Sequence, residues 1–161
     1  MKLNKWFYLI SLSLIWGSSF ILIKKALVGL EADQLGSLRI IFSSIIIILI
    51  ARKRLSKITT PEWKWITISA FLGSFFPAFL FAFAEQEIDS SVASILNSIV
   101  PLNTIIIGLV LFGIKSTKRQ IIGVLLGFFG AYQLIISGMN LNPDQNYFYS
   151  GLVIICSFLY P

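Results

Sequence analysis

The sequence predicts an all-α, polytopic integral membrane helix bundle: five transmembrane helices plus a partial sixth, with a cytoplasmic N-terminus. Three observations predict it. Apolar runs cover 6–30, 35–51, 63–84, 92–114, 121–139 and 147–161. Crossing a hydrocarbon core takes about 20 helical residues at about 1.5 Å each, which the first five runs meet once their flanks are counted. The sixth covers only about 22 Å by the same rise. Second, 57% of the residues are apolar and 12% charged, too few charges for a water-facing surface. Third, the loops alternate in sign.

Lys2 and Lys5 precede the first run, and Glu31 and Asp33 follow it. Arg52, Lys53, Arg54 and Lys57 come next, then Glu85, Glu87 and Asp89, then Lys115, Lys118 and Arg119, then Asp144. Glu62, at a basic end, is the exception. Short basic loops stay in the cytoplasm, so the N-terminus is expected inside and the acidic loops outside. The net charge of +6 is therefore a topology signal rather than a nucleic-acid footprint. The expected location is the plasma membrane, the inner membrane of a prokaryote, with the lipid bilayer as first partner.

Other classes are excluded by what the chain lacks. It has no His, so Ser–His and Cys–His dyads and His-ligated metals are ruled out. Its single Cys156 cannot form an internal disulfide. No enzyme, cofactor or metal site is expected. The apolar stretch before Lys24 is longer than a signal-peptide core and has no small-residue cleavage site after it, so it reads as a retained span.

In the first run, Ser13, Gly17, Phe20 and Lys24 share one helical face. Gly17 reads as a packing position; Trp16 beside it is a candidate for holding apolar parts of a substrate. Lys24 and Arg39, in the second run, fall at similar depth below the outer end of a hairpin. Cations at that depth face a wet interior, where they attract an anion, or else snorkel to the headgroups. The second run is otherwise rich in Ile.

The third run is expected to start on Thr60 as N-cap, with Pro61 and Glu62 in its first turn. Trp63 and Trp65 suit the inner interface. Pro77 should bend it, and the surrounding Phe residues, Phe79 among them, line a path or face lipid. The fourth run carries Ser90, Ser94, Asn97, Pro101, Thr104 and Gly108 at helical spacing, one polar and small stripe. Pro101 has no N–H for the Asn97 carbonyl. An amide, a hydroxyl and a free carbonyl thus converge near mid-span, for a cavity or for interhelical hydrogen bonds. The fifth run has Gly123, Gly127 and Gly130, and the first two form a GxxxG motif that permits close helix crossing. An outer loop over 140–146 leads to Tyr147, Phe148 and Tyr149.

Taken together, Trp16-Gly17-Ser18-Ser19-Phe20 with Lys24, Arg39, Ala82-Phe83-Ala84, the stretch from Ser90 to Pro101, and Gln120-Ile121-Ile122-Gly123 with Gly127 and Gly130 resemble the EamA-like domain of the drug/metabolite transporter superfamily. The resemblance covers nearly the whole chain. It implies a ten-span carrier of two five-helix repeats that exports or exchanges small organic metabolites such as amino acids. The repeat would be 1–139, and 140–161 the outer loop and the truncated start of a second repeat. Where such proteins often carry Glu near the end of the fourth helix, this chain reads Gly113-Ile114-Lys115.

An odd helix count makes a fused second copy enter upside down, with the substrate site between the halves. The chain is therefore expected to be a piece of a longer carrier, or a half that pairs with another copy. Trp16, Lys24, Arg39, Phe79, Asn97, Pro101 and Thr104 are the expected contacts to an anionic or zwitterionic small molecule. Gly17, Gly123, Gly127 and Gly130 are the expected packing positions. The other reading is a non-transporting subunit or scaffold that pairs through the fifth helix. Every Asp and Glu falls in a loop or at a helix end, so carboxylate-driven proton coupling is not expected in this half.

Overall fold

The computed structural model describes residues 5–55, 57–138 and 146–161; 86% of these residues are helical and none is in a strand. The elements are α1 (Lys5–Ala26), α2 (Ala32–Leu55), α3 (Thr60–Glu87), α4 (Ser90–Phe112), α5 (Lys118–Gly138) and α6 (Ser150–Leu159). Helices α1 to α4 are each long and apolar enough to cross a membrane. Lys2, Asp144 and 140–145 of the outer loop lie outside the described residues.

The helix ends follow from local chemistry. The α1 helix stops at Ala26, and the apolar run continues as a tightening turn in which Val28 N–H reaches only to the Lys25 carbonyl. Asp33 in the first turn of α2 and Arg52, Lys53 and Arg54 in its last complement the helix dipole. The cap of α3 is Thr59, one residue earlier than the sequence reading placed it. Glu62 explains the shift. Its carboxylate accepts from both the N–H and the hydroxyl of Thr59, each at 2.7 Å, which is the Thr-x-x-Glu spacing. Thr117 and Gln120 do the same for α5: the Gln120 amide oxygen takes the Thr117 N–H at 2.8 Å, and Thr117 Oγ1 takes the Gln120 N–H at 3.3 Å.

The two prolines act differently. Ahead of Pro77, α3 widens into a π turn over Phe71–Phe75, and Phe76 N–H reaches back to the Phe71 carbonyl. Pro77 has no N–H and its ring crowds the carbonyl of Gly73; one wider turn absorbs the misfit without ending the helix. Ahead of Pro101, α4 breaks instead. Residues 98 and 99 form a turn between Ser90–Asn97 and Val100–Phe112. The α4 helix ends on Gly113 at φ 63°, a left-handed position where only glycine is unstrained. Ile114 N–H then closes back on the Gly108 carbonyl at 2.9 Å.

The core lies where the second half of α3 meets its neighbours. Phe81, Ala84 and Ile88 pack with Val92 and Ala93 of α4 and with Val153 and Cys156 of α6. Ala82 packs on the other side with Ile23, Ala32 and Leu35. The α6 helix, which the sequence sets apart, is thus built into the same core as α3 and α4. Asn103 fixes it there: its Nδ2 donates to the Ser157 carbonyl at 3.1 Å and to Ser157 Oγ at 2.8 Å, with both side chains buried. By contrast, Ile23 alone is buried on α1, and no described side chain of α5 is buried. Their exposed Trp, Leu, Ile and Phe side chains suit lipid or a further membrane partner.

Candidate functional site

A cavity of about 560 Å³ opens among α1, α2, α3, α4 and the end of α6. That volume is in the range of small-molecule sites. Four of the seven residues expected to contact a substrate line it: Trp16, Arg39, Asn97 and Thr104. They arrive from three helices and from well-separated parts of the chain.

Each is held for a local reason. Asn97 closes the first half of α4, just before the break at residues 98 and 99, and its buried Oδ1 has no hydrogen-bond partner among the described residues. A buried amide oxygen without a partner is costly, and a ligand donor would relieve it. Thr104 Oγ1 donates to the Val100 carbonyl at 2.8 Å, so its lone pairs remain available as acceptors. Ser19 on the facing wall donates in the same way to the Trp16 carbonyl at 2.7 Å. Arg39 is the charged residue among those lining the cavity. Its Nη1 reaches only a long contact, 3.4 Å, to the Ala78 carbonyl, so most of its donors are uncommitted there.

An aromatic wall completes the cavity. Phe20 and Phe81 meet edge to face at 5.7 Å, and Phe81 and Tyr160 lie 6.4 Å apart. The arrangement offers one cation, one amide, three hydroxyls and a broad apolar surface. A second cavity of about 560 Å³ lies between α2 and the π turn of α3, with Ser43, Ser44 and Ser74 on its walls. Arg39, Gly73 and Tyr160 border both cavities. Among the described residues no group of three or more Cys, Asp and Glu side chains gathers that would hold a metal.

The other three expected contacts lie elsewhere. Lys24 does not line the cavity: its Nζ donates to the carbonyls of Glu85 at 2.7 Å and Ile88 at 2.9 Å, capping the end of α3. Phe79 stacks against Gly36 of α2; a Cβ built on Gly36 would come within 2.6 Å of its ring. Pro101 shapes the cavity by breaking α4 without lining it. Beside Gly17, Gly123, Gly127 and Gly130 the space is open to 4 Å, so among the described residues no helix crosses closely at any of them. The close approach is at Gly36 instead.

Sequence reasoning missed Phe20 and Tyr160 as cavity walls, left Phe81 among the Phe residues that line a path or face lipid, and missed Asn103 as the link to α6 and the burial of Glu85. Glu85 was read as a residue near the membrane surface; it is fully buried. For Asn103 the signal was present. A carboxamide in an apolar helix needs a partner, and Asn103 stands off the stripe that carries Asn97 and Thr104.

The comparisons with known proteins agree with this architecture. Residues 4–136 match the EamA-like transporter family. An uncharacterized transporter of Archaeoglobus fulgidus is 26% identical over 153 residues, which cover 91% of this chain and 51% of that protein. The chain thus spans about half the length of the curated relative it matches. No solved structure matches it. With most of its length matched and its helices apolar enough to span a bilayer, the chain is a multi-pass membrane protein and belongs to the EamA-like transporter family.

Proposed function

We propose that this protein is one half of a secondary carrier that moves small organic metabolites with an anionic or zwitterionic end, amino acids among them. The observation that carries the proposal is the cavity where Arg39, Asn97 and Thr104 face an aromatic wall. Arg39 would take a carboxylate, Asn97 Oδ1 an ammonium or amide donor, and Trp16, Phe20 and Phe81 the apolar body. The protein would use no cofactor and carry out no enzymatic reaction.

In this reading the N-terminus is cytoplasmic, α5 is the fifth span and α6 begins the sixth, in the plasma membrane of a prokaryote. The second half would be an inverted repeat, either further along the same protein or supplied by another copy, closing the cavity from the side that α1 leaves open. Substrate access would alternate as the halves rock, with the π turn before Pro77 and the break before Pro101 as bends. The competing reading, a scaffold pairing through Gly123 and Gly127, is favoured by the open space beside those residues.

One experiment separates the two. The whole protein is reconstituted in vesicles loaded with a panel of radiolabelled amino acids and other small carboxylates, and efflux is followed. Transport predicts that Arg39→Ala weakens apparent affinity by about tenfold to hundredfold, the loss of a charged hydrogen bond of about 1.5–3 kcal/mol. Asn97→Ala should impair it as well, while Gly127→Leu spares it. A scaffold predicts no efflux of any substrate and loss of partner association with Gly127→Leu alone.

A further inference from the structure

We propose that the cavity between α2 and the π turn of α3 is a second binding chamber, which takes small hydroxylated carboxylic acids and shares Arg39 with the cavity lined by Asn97 and Thr104. Its volume is about 560 Å³, the same as that of the first cavity, and Arg39, Gly73 and Tyr160 border both. The remaining walls differ in chemistry. The first cavity offers the rings of Trp16, Phe20 and Phe81. The second offers three hydroxyls, Ser43 and Ser44 from α2 and Ser74 from the π turn.

The pairing of the two helices places these hydroxyls relative to the guanidinium. Arg39 meets the Ala78 carbonyl across the antiparallel pair. Ser43 comes one helical turn after Arg39, and Ser74 one turn before Ala78. The two serines therefore stand level with each other, about 5–6 Å along the helices from the Arg39 contact. Among the described residues none of the three hydroxyls makes a hydrogen bond. Ser13, Ser18 and Ser19 on α1, by contrast, each give their proton to a carbonyl of their own helix. A serine in a spanning helix without such a bond keeps both its proton and its lone pairs for a ligand. Arg39 makes only its long contact, so its fork of N–H groups is available to a carboxylate from this side as well.

A cation with hydroxyls one turn away selects a particular kind of molecule. The carboxylate pairs with the guanidinium, and a hydroxylated carbon chain of about four to six atoms reaches Ser43, Ser44 and Ser74. An acid with an apolar body would cover the same serines and leave them without partners, so the chamber rejects it. The aromatic cavity sorts in the opposite sense. One arginine serves both chambers, and two carboxylates beside it repel, so the two kinds of acid compete. A role for the chamber in transport rests on the carrier reading; binding in it does not.

Calorimetry on the whole protein in lipid nanodiscs tests this, with gluconate and 3-phenylpropanoate as probes. Gluconate should bind, and excess gluconate should displace 3-phenylpropanoate. Ser43→Ala, Ser44→Ala and Ser74→Ala combined should weaken gluconate binding by roughly tenfold or more, the loss of several neutral hydrogen bonds, and leave 3-phenylpropanoate within about twofold. Arg39→Ala should weaken both. The three serines are exposed, so their replacement should keep the fold, which thermal unfolding checks. If it does not, sorbitol decides on the wild-type protein: with hydroxyls but no carboxylate, it should bind at least roughly tenfold more weakly than gluconate. Absence of gluconate binding, as when a lipid chain or another helix fills the groove, overturns the proposal. So does gluconate binding that the serine variant leaves unchanged, sorbitol binding as tight as gluconate binding, or simultaneous binding of both acids. Gluconate binding that responds as expected without 3-phenylpropanoate binding upholds the chamber and counts against the aromatic cavity as a site. The same response without efflux of any substrate from vesicles upholds the chamber and counts against the carrier reading alone.

Discussion

Lys24 donates to the backbone carbonyl of Glu85 at 2.7 Å and not to its carboxylate. An opposite-charge pair on adjacent helices is thus arranged as a helix cap beside a separate acid. The ammonium also takes the Ile88 carbonyl, so it satisfies two of the acceptors left open where α3 ends. Lys24→Met should therefore lower thermal stability by about 0.3–1 kcal/mol, the usual worth of a cation at a helix C-terminus. Lys24→Arg, which keeps the charge and offers several donors, should recover most of it. Thermal unfolding in detergent checks this. Equal losses in both variants would mean that the fit of the lysine stem, and not the cap, is what matters.

Gly36 gives a steric prediction. The Phe79 ring lies so close that an added methyl group would overlap it. Gly36→Ala should cost about 1–3 kcal/mol as an overpacking substitution, and Gly36→Ala with Phe79→Leu should restore part of that, because the shorter side chain makes room. A melting series on the two single variants and the double variant measures the coupling. Additive effects would show that the ring moves aside freely.

Asn103 and Ser157 make the third case. Asn103→Ala removes both hydrogen bonds that join α4 to α6. Interhelical hydrogen bonds in membranes average about 0.6 kcal/mol, so the loss in stability should be modest, about 1 kcal/mol for the two. The clearer effect should be local: faster hydrogen exchange along Ser150–Leu159, while the Ala82 side of the core keeps its protection. Uniformly faster exchange across both clusters would contradict a local link.

These cases show what the sequence makes legible. Run lengths and charge order locate the helices to within a few residues, because bilayer thickness and backbone satisfaction leave few alternatives. Helical periodicity also brings Asn97 and Thr104 to one wall, since both sit on one helix. Depth counting sets Arg39 level with Lys24, nearer the outer end; only the packed structure brings it to one cavity with Asn97 and Thr104. What periodicity does not encode is which helix stands opposite. The GxxxG motif on α5 permits a close approach but names no partner, and the tight contact in this chain falls at the unremarked Gly36. Glu85 was judged by its distance from a helix end. Its burial depends on α1, α4 and α6 closing around it, and no local pattern reports that.

The handedness of the threading remains the broadest expectation, and single cysteines test it. Arg54→Cys lies at the basic end of α2 and Glu87→Cys at the acidic end of α3, both exposed in the wild-type protein. Cys156 is fully buried and should not react, so no cysteine-free background is needed. With basic loops cytoplasmic, a membrane-impermeant maleimide added to intact cells should label Glu87→Cys and leave Arg54→Cys unmodified until the membrane is opened. The reverse pattern would invert the protein in the bilayer while leaving the hairpin intact. Labelling of both from one side would break the hairpin itself, because α3 would then fail to carry the chain across between them, and the shared depth of Lys24 and Arg39 would lose its basis.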